Sequence, residues 1–142
     1  MTPNHEQTIN KWNELGFYYE YDNDLGQWRF IGSKDGLTKL VDVLILYSSD
    51  PKNGGTSEHL HLGPYSYLKI MTWHEPVLTS SHIGGTLKDL MSLGKSISAK
   101  LEICKVGQIF KIGREYSPST KTSLLFIIMS NDFLPSSIEF EG

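Results

Sequence analysis

Trp28-Arg29-Phe30-Ile31-Gly32-Ser33-Lys34-Asp35-Gly36-Leu37-Thr38-Lys39-Leu40 runs from a strand pattern straight into a helix start. Gln27 to Ile31 is rich in residues that favour strands, and Gly32-Ser33 ends the run. Ser33 suits an N-cap, because its hydroxyl accepts one of the N–H groups that the first turn leaves unpaired. Leu37, Leu40, Leu44 and Tyr47 follow at helical spacing, and Val41 and Ile45 widen the stripe into the face of a helix packed on a sheet. Pro51 disfavours helix at Asp50, so the helix is expected to end near Ser48-Ser49.

Gly85-Thr86 opens a second helix in the same manner. Thr86 is its cap, Asp89 imitates a capping box, and Leu90, Leu93, Ile97 and Leu101 supply the buried stripe. Leu90, Leu93 and Ile97 stand four, seven and eleven positions after Thr86, as Leu37, Leu40 and Leu44 do after Ser33. Two readings of this match stay open: a duplicated unit, or the offsets that any capped amphipathic helix produces.

The remaining pattern is strand-rich. Phe17 to Tyr21 and Gln27 to Ile31 form a hairpin pattern around the turn cluster Asp22-Asn23-Asp24-Leu25-Gly26. Lys52 to Ser57 reads as the most flexible segment. Glu58-His59-Leu60-His61-Leu62, the Gly63-Pro64 break and a long alternating strand from Tyr65 to Trp73 follow. Pro76 makes Val77 to Ser80 an edge strand at best. Gln108 to Ile112 and Ser123 to Met129 are two further strands, the second apolar enough for a central strand covered on both faces or the last core strand. The expectation is one α+β domain over 1–142: an antiparallel or mixed sheet of about five strands with two main helices on one face. Residues 1–15 are an N-terminal extension or short helix (Thr8 to Leu15), and 131–142 an irregular tail.

Composition narrows the function classes. A hydrophobic content of 39% with 20% charged residues is that of a folded globule rather than a disordered chain. No apolar run approaches the roughly 20 residues that cross a bilayer, so no membrane association is expected. Met1 to Gln7 has neither a basic nor an apolar region of a secretory signal. The lone Cys104 excludes an internal disulfide framework and reads as a small buried thiol, so a reducing cytoplasm is the expected compartment. A net charge of −3 argues against nucleic acid as the main partner and is compatible with a basic protein. Asp22, Asp24, Glu14 and Glu20 make an acidic neighbourhood at the first hairpin, either a solvated face or a dock for such a partner.

Glu58-His59-Leu60-His61 is the one local grouping of candidate ligands. Extended, it places His59 and His61 on one side and Glu58 on the other. Two imidazoles can begin a zinc site and His74-Glu75 can add to it, but three or four ligands are needed and the spacing supplies two. Histidines beside a Gly-rich loop serve more often as hydrogen-bonding anchors or interface residues, and no metal or cofactor is expected. Ser33 and Thr86 are caps rather than nucleophiles, and no nucleophile elbow, Walker loop, H-E-x-x-H helix or paired-Cys motif occurs. Tyr65, Tyr67 and Trp73 share one strand parity and Leu68, Ile70 and Thr72 the other, which makes the second set the core face. The aromatic side is either a second packed layer or an exposed recognition surface.

The stretch Trp28 to Leu40, followed by Ser57-Glu58-His59-Leu60-His61-Leu62-Gly63, resembles a pattern of small immunity proteins from bacterial polymorphic toxin systems: a strand into Gly-Ser, a Leu-rich helix, then Glu-His-x-His. The resemblance covers roughly residues 17 to 73. It implies stoichiometric binding of a cognate protein toxin domain inside the producing cell and no catalysis, and it carries over no toxin-contact residues. Glu58, His59, His61, Tyr65, Tyr67 and Trp73 are the candidate partner-binding residues. The alternatives are a small His- or metal-dependent hydrolase centred on His59, His61 and His74, and a structural or regulatory domain that forms a homodimer through its aromatic strand.

Overall fold

In the computed structural model, which describes residues 5–140, both helix starts form as their caps dictate. The Ser33 hydroxyl accepts the Gly36 N–H at 3.0 Å at the head of α2 (Lys34–Ser49). At the head of α3 (Leu87–Ile103), Thr86 Oγ1 accepts the Asp89 N–H at 3.1 Å and Asp89 Oδ2 accepts the Thr86 N–H at 3.0 Å. Both bonds of a capping box are therefore present, despite the short acidic partner. A third helix, α1 (His5–Leu15), buries only Trp12. Residues 1–4 and 141–142, the ends of the expected extension and tail, lie outside the described residues.

Among the described residues eight strands form: β1 (Tyr18–Asp22), β2 (Gln27–Ser33), β3 (His59–Leu62), β4 (Leu68–Thr72), β5 (Val77–Leu78), β6 (His82–Gly85), β7 (Ile109–Ile112) and β8 (Ser123–Met129). They do not make one sheet of about five strands with two helices on one face. They divide into two four-stranded sheets, β1-β2-β8-β7 and β3-β4-β6-β5, accompanied by three helices. The physical reason is that the hairpin after each helix does not rejoin the sheet the helix left. β2 runs parallel to β8 instead of pairing with β4, and β4 runs parallel to β6. Periodicity says which face of a strand is buried but not which strand lies beside it. β6, His82-Ile83-Gly84-Gly85, has little strand propensity, so of the second sheet's two central strands only β4 carries a sequence signal.

The two halves of the chain match. Both β1-β2-α2-β3-β4 and β5-β6-α3-β7-β8 are hairpin, helix, hairpin, and each sheet joins the first hairpin of one half to the second hairpin of the other. The parallel registers agree: Gly32 lies opposite Ile128 and Gly85 opposite Thr72, each glycine directly before its helix cap. Helix offsets alone left two readings; order and register together favour the duplicated unit.

The core fills the space these elements enclose. Leu124, Phe126 and Ile128 of β8 alternate as buried residues with half-buried neighbours, and Leu68, Ile70 and Thr72 of β4 do the same. Leu37, Leu40 and Leu44 of α2 and Leu90, Leu93 and Ile97 of α3 complete it. The two helices approach closely at Gly94, where a Cβ would stand 3.1 Å from Ile45 Cγ1. The Tyr47 hydroxyl, 2.7 Å from Thr72 Oγ1, ties α2 to β4. No helix among the described residues is long and apolar enough to cross a membrane. Cys104 is half-buried at the end of α3 rather than within the core.

Candidate functional site

A hollow with a volume of about 730 Å³ follows β1, the edge strand of the first sheet. Tyr18 and Glu20 line it from one face of the strand and Tyr19 and Tyr21 from the other, so it runs along the strand's edge. Its floor is aromatic and buried: Trp12 of α1, Tyr19 and Trp28 are each no more than 3% exposed. Its rim is Tyr65 and Tyr67 from the β3–β4 turn, 40% and 67% exposed, with ring centroids 5.3 Å apart and stacked. Glu139, from the C-terminal segment, closes the lining.

Local structure explains why these groups meet. The Tyr19 hydroxyl donates to the Leu62 carbonyl and accepts the Leu68 N–H at 3.4 Å, which holds the β3–β4 turn against β1. Gly63 makes this approach feasible: its φ is +84°, and a Cβ there would lie 2.7 Å from the Tyr19 ring. The Trp28 indole N–H donates to the Thr79 carbonyl at 2.7 Å and so links the groove floor to the β5–β6 turn of the other sheet.

Two carboxylates set the electrostatics, and the lining contains no lysine or arginine. Glu139 accepts the Trp12 indole N–H at 3.0 Å, and the Tyr65 hydroxyl lies 2.8 and 2.7 Å from its two oxygens. That hydrogen bond is the main reason the Tyr65 phenol is pushed up to about 12. Burial raises Tyr18, and both Glu20 and Glu139 add to the shift, so the two carboxylates act on the same phenol. Burial likewise raises Tyr19. These tyrosines are neutral donors at physiological pH. Glu20 also pairs across the hairpin with Arg29, at 3.5 Å.

Of the six residues singled out as partner-binding, Tyr65 and Tyr67 line the groove, while Glu58, His59, His61 and Trp73 do not. His59 and His61 are exposed on β3 with rings 5.2 Å apart, and their Nδ1 atoms lie 3.0 Å from the Ser57 carbonyl and 3.2 Å from the Ser66 carbonyl. Each imidazole thus has a hydrogen-bond partner in the loops beside β3. His74 pairs with Glu75 at 3.6 Å and packs on Trp73. Among the described residues no group of three or more His, Cys, Asp or Glu side chains comes together, so His74 does not join His59 and His61 in a ligand set. Of the acidic neighbourhood only Glu20 enters the groove. Asp22 instead accepts the Asp24 and Leu25 N–H groups at 2.9 and 3.1 Å and shapes the hairpin turn.

Trp12, Tyr18, Tyr19, Trp28 and Glu139 were not recognised as site residues from sequence. The tyrosine-dense strand at 18–21 was the one available signal. Nothing local marks Glu139 as the acceptor for Trp12, 127 residues away. Comparison of the chain with known family models, with curated proteins and with solved structures finds no match.

Proposed function

We propose that the chain is a non-catalytic binding protein, an immunity protein that neutralises a cognate bacterial toxin domain by stoichiometric binding in the cytoplasm of the producing cell. The observation that carries the reading is the groove along β1: a buried aromatic floor, an exposed tyrosine rim, a hydrogen-bonded Glu139 and an ion-paired Glu20. Exposed aromatics over a desolvated floor are the composition of interface hot spots. The Glu139 carboxylate is engaged by Tyr65 and Trp12 rather than set against a nucleophile or a second acid, so it braces the site. The toxin-directed form of the reading comes from the sequence resemblance.

The test is co-expression with the C-terminal domain of a large modular toxin encoded beside this gene. A one-to-one complex and rescue of growth are expected. Tyr67→Ala should weaken the complex about tenfold or more, as loss of an interface aromatic does. Absence of both complex and rescue would sink the immunity reading.

A further inference from the structure

The edge of β1 supplies what the groove's side chains do not. The Ser123 N–H donates to the Gly26 carbonyl, so the backbone groups of even-numbered β2 residues face β8 and those of odd-numbered residues face β1. Gln27, Arg29 and Ile31 therefore exchange hydrogen bonds with Asp22, Glu20 and Tyr18, and the N–H and C=O of Tyr19 and Tyr21 point away from the sheet. Tyr19 is buried in the floor, but Tyr21 is only half-buried, and its outward backbone groups have no protein partner among the described residues. The edge strands β3 and β7 contribute nothing to the groove lining.

We propose that the groove takes an extended segment of the partner protein bearing an arginine or lysine, with the cation among the tyrosine faces between Glu20 and Glu139 and the segment's backbone paired to Tyr21. This deepens the binding-protein reading and rests on it. Charge complementarity selects the occupant: two carboxylates and no cation line the hollow, and Glu20 is only partly neutralised by Arg29 at 3.5 Å. Stacked, electron-rich faces such as those of Tyr65 and Tyr67 attract a cation, and the rim leaves them accessible. The unpaired Tyr21 groups offer the start of a strand-addition ladder. A volume of about 730 Å³ admits a short segment rather than a lone ion.

The probes are the pentapeptide acetyl-Thr-Val-Arg-Val-Thr-amide, its counterpart with neutral, isosteric citrulline in place of arginine, and acetyl-arginine-amide alone. Each is titrated against the isotopically labelled chain by NMR. The arginine peptide should shift the Tyr18, Tyr21, Tyr65 and Tyr67 ring signals and slow hydrogen exchange at the Tyr21 amide. The citrulline peptide should bind about tenfold more weakly, as expected for loss of a charge-assisted contact. Glu139→Gln and Glu20→Gln should each reduce the difference between the two peptides. Equal binding of the arginine and citrulline peptides, shifts confined to another surface, or no shifts at millimolar peptide would overturn the proposal. Acetyl-arginine-amide binding as tightly as the pentapeptide would remove the backbone component and overturn it as a segment site. Protection of Tyr21 that grows with protein concentration alone would assign the edge to a second copy and overturn it too. A toxin complex that forms without contacting this groove would sink this inference and leave the immunity reading standing. Peptide binding without toxin rescue would do the reverse.

Discussion

β1 and β5 occupy equivalent positions in the two halves of the molecule, and their outer edges are treated in opposite ways. Tyr19 stands opposite Phe30 in one hairpin as Leu78 stands opposite Ile83 in the other. At β5 the connection between β7 and β8 folds over the edge: Ser117 Oγ donates to the Pro76 carbonyl at 3.1 Å, and Thr120 Oγ1 lies 3.3 Å from the Leu78 carbonyl. At β1 the shorter turn over residues 63–67 donates nothing to the strand; the strand's own Tyr19 hydroxyl reaches the turn instead. The hollow along β5, about 420 Å³, draws half of its lining from serine and threonine, carries Glu75 and Lys121 as its charged groups, and has Tyr21 as its one aromatic. One scaffold thus carries a hydroxyl-sealed edge and an aromatic, acidic groove. Unpaired strand edges are a liability that proteins ordinarily cover. Leaving one lined with exposed tyrosines while sealing its equivalent is the contrast on which the proposed binding role rests.

The comparison is broken most severely at Trp28, which belongs to both regions. Its ring floors the groove, and its N–H holds the β5–β6 turn at the Thr79 carbonyl. Trp28→Ala should cost roughly 3–5 kcal/mol in urea unfolding, from lost apolar burial plus the cavity left behind. Trp28→Phe, which keeps much of the ring but not the donor, should cost roughly 1–3 kcal/mol. Equal losses in the two variants would mean that the inter-sheet hydrogen bond, rather than packing, dominates.

Much of the fold was legible because local rules agree with the global arrangement. Ser33, Thr86 and Asp89 cap as their side chains require, and Leu68, Ile70 and Thr72 face the core as their alternation predicts. The Tyr65–Tyr67–Trp73 parity left two readings open, and the structure exposes all three residues, from 37% to 67%. The division into two sheets was not legible. It depends on β2 choosing β8, almost a hundred residues later, and on a glycine-rich β6 that only its neighbours make a strand. The groove shared that fate: Tyr65 and Tyr67 were visible as exposed candidates, but Trp12, Trp28 and Glu139 join them only through tertiary contacts. Histidine spacing points to Glu58, His59 and His61, which stand outside the groove, and the two imidazoles lie against the Ser57 and Ser66 carbonyls.

A smaller effect tests the sealed edge by opening it. Thr120 is 9% exposed, and its hydroxyl also accepts the Thr122 N–H at 2.9 Å. Thr120→Val keeps the shape but strands the Thr122 donor and removes the hydroxyl proton that the Thr122 and Leu78 carbonyls share, at 3.0 and 3.3 Å, at a cost of roughly 1–3 kcal/mol. Backbone hydrogen exchange across residues 113–122 should accelerate and the Leu78 carbonyl-carbon NMR signal should move, while exchange along β1 should not change. An unmoved Leu78 carbonyl signal would show that the loop hydroxyls do not seal β5, and the contrast between the two edges would lose its basis.

The smallest effect sharpens the other side of the contrast, because it alters charge and leaves the contacts in place. In Glu139→Gln the amide oxygen can still accept from Trp12 and Tyr65, so global stability should move by no more than about 0.5 kcal/mol, as for most surface substitutions. The phenol of Tyr65 should respond nonetheless. Its elevation to about 12 comes first from the hydrogen bond to the Glu139 carboxylate, and a neutral acceptor makes a weaker bond to the hydroxyl. A phenol whose folded value lies above the ordinary 10 binds its proton more tightly when folded. Its contribution is therefore complete below pH 10 and is lost as pH rises through about 12. Spectrophotometric titration should find Tyr65 ionising among the last tyrosines in the native chain and closer to 10 in Glu139→Gln, with Tyr65→Phe identifying its step. An unchanged Tyr65 step in Glu139→Gln would mean that the rim is not organised by this carboxylate, and the contrast with the hollow along β5, whose Glu75 pairs with His74 rather than with ring donors, would lose that element.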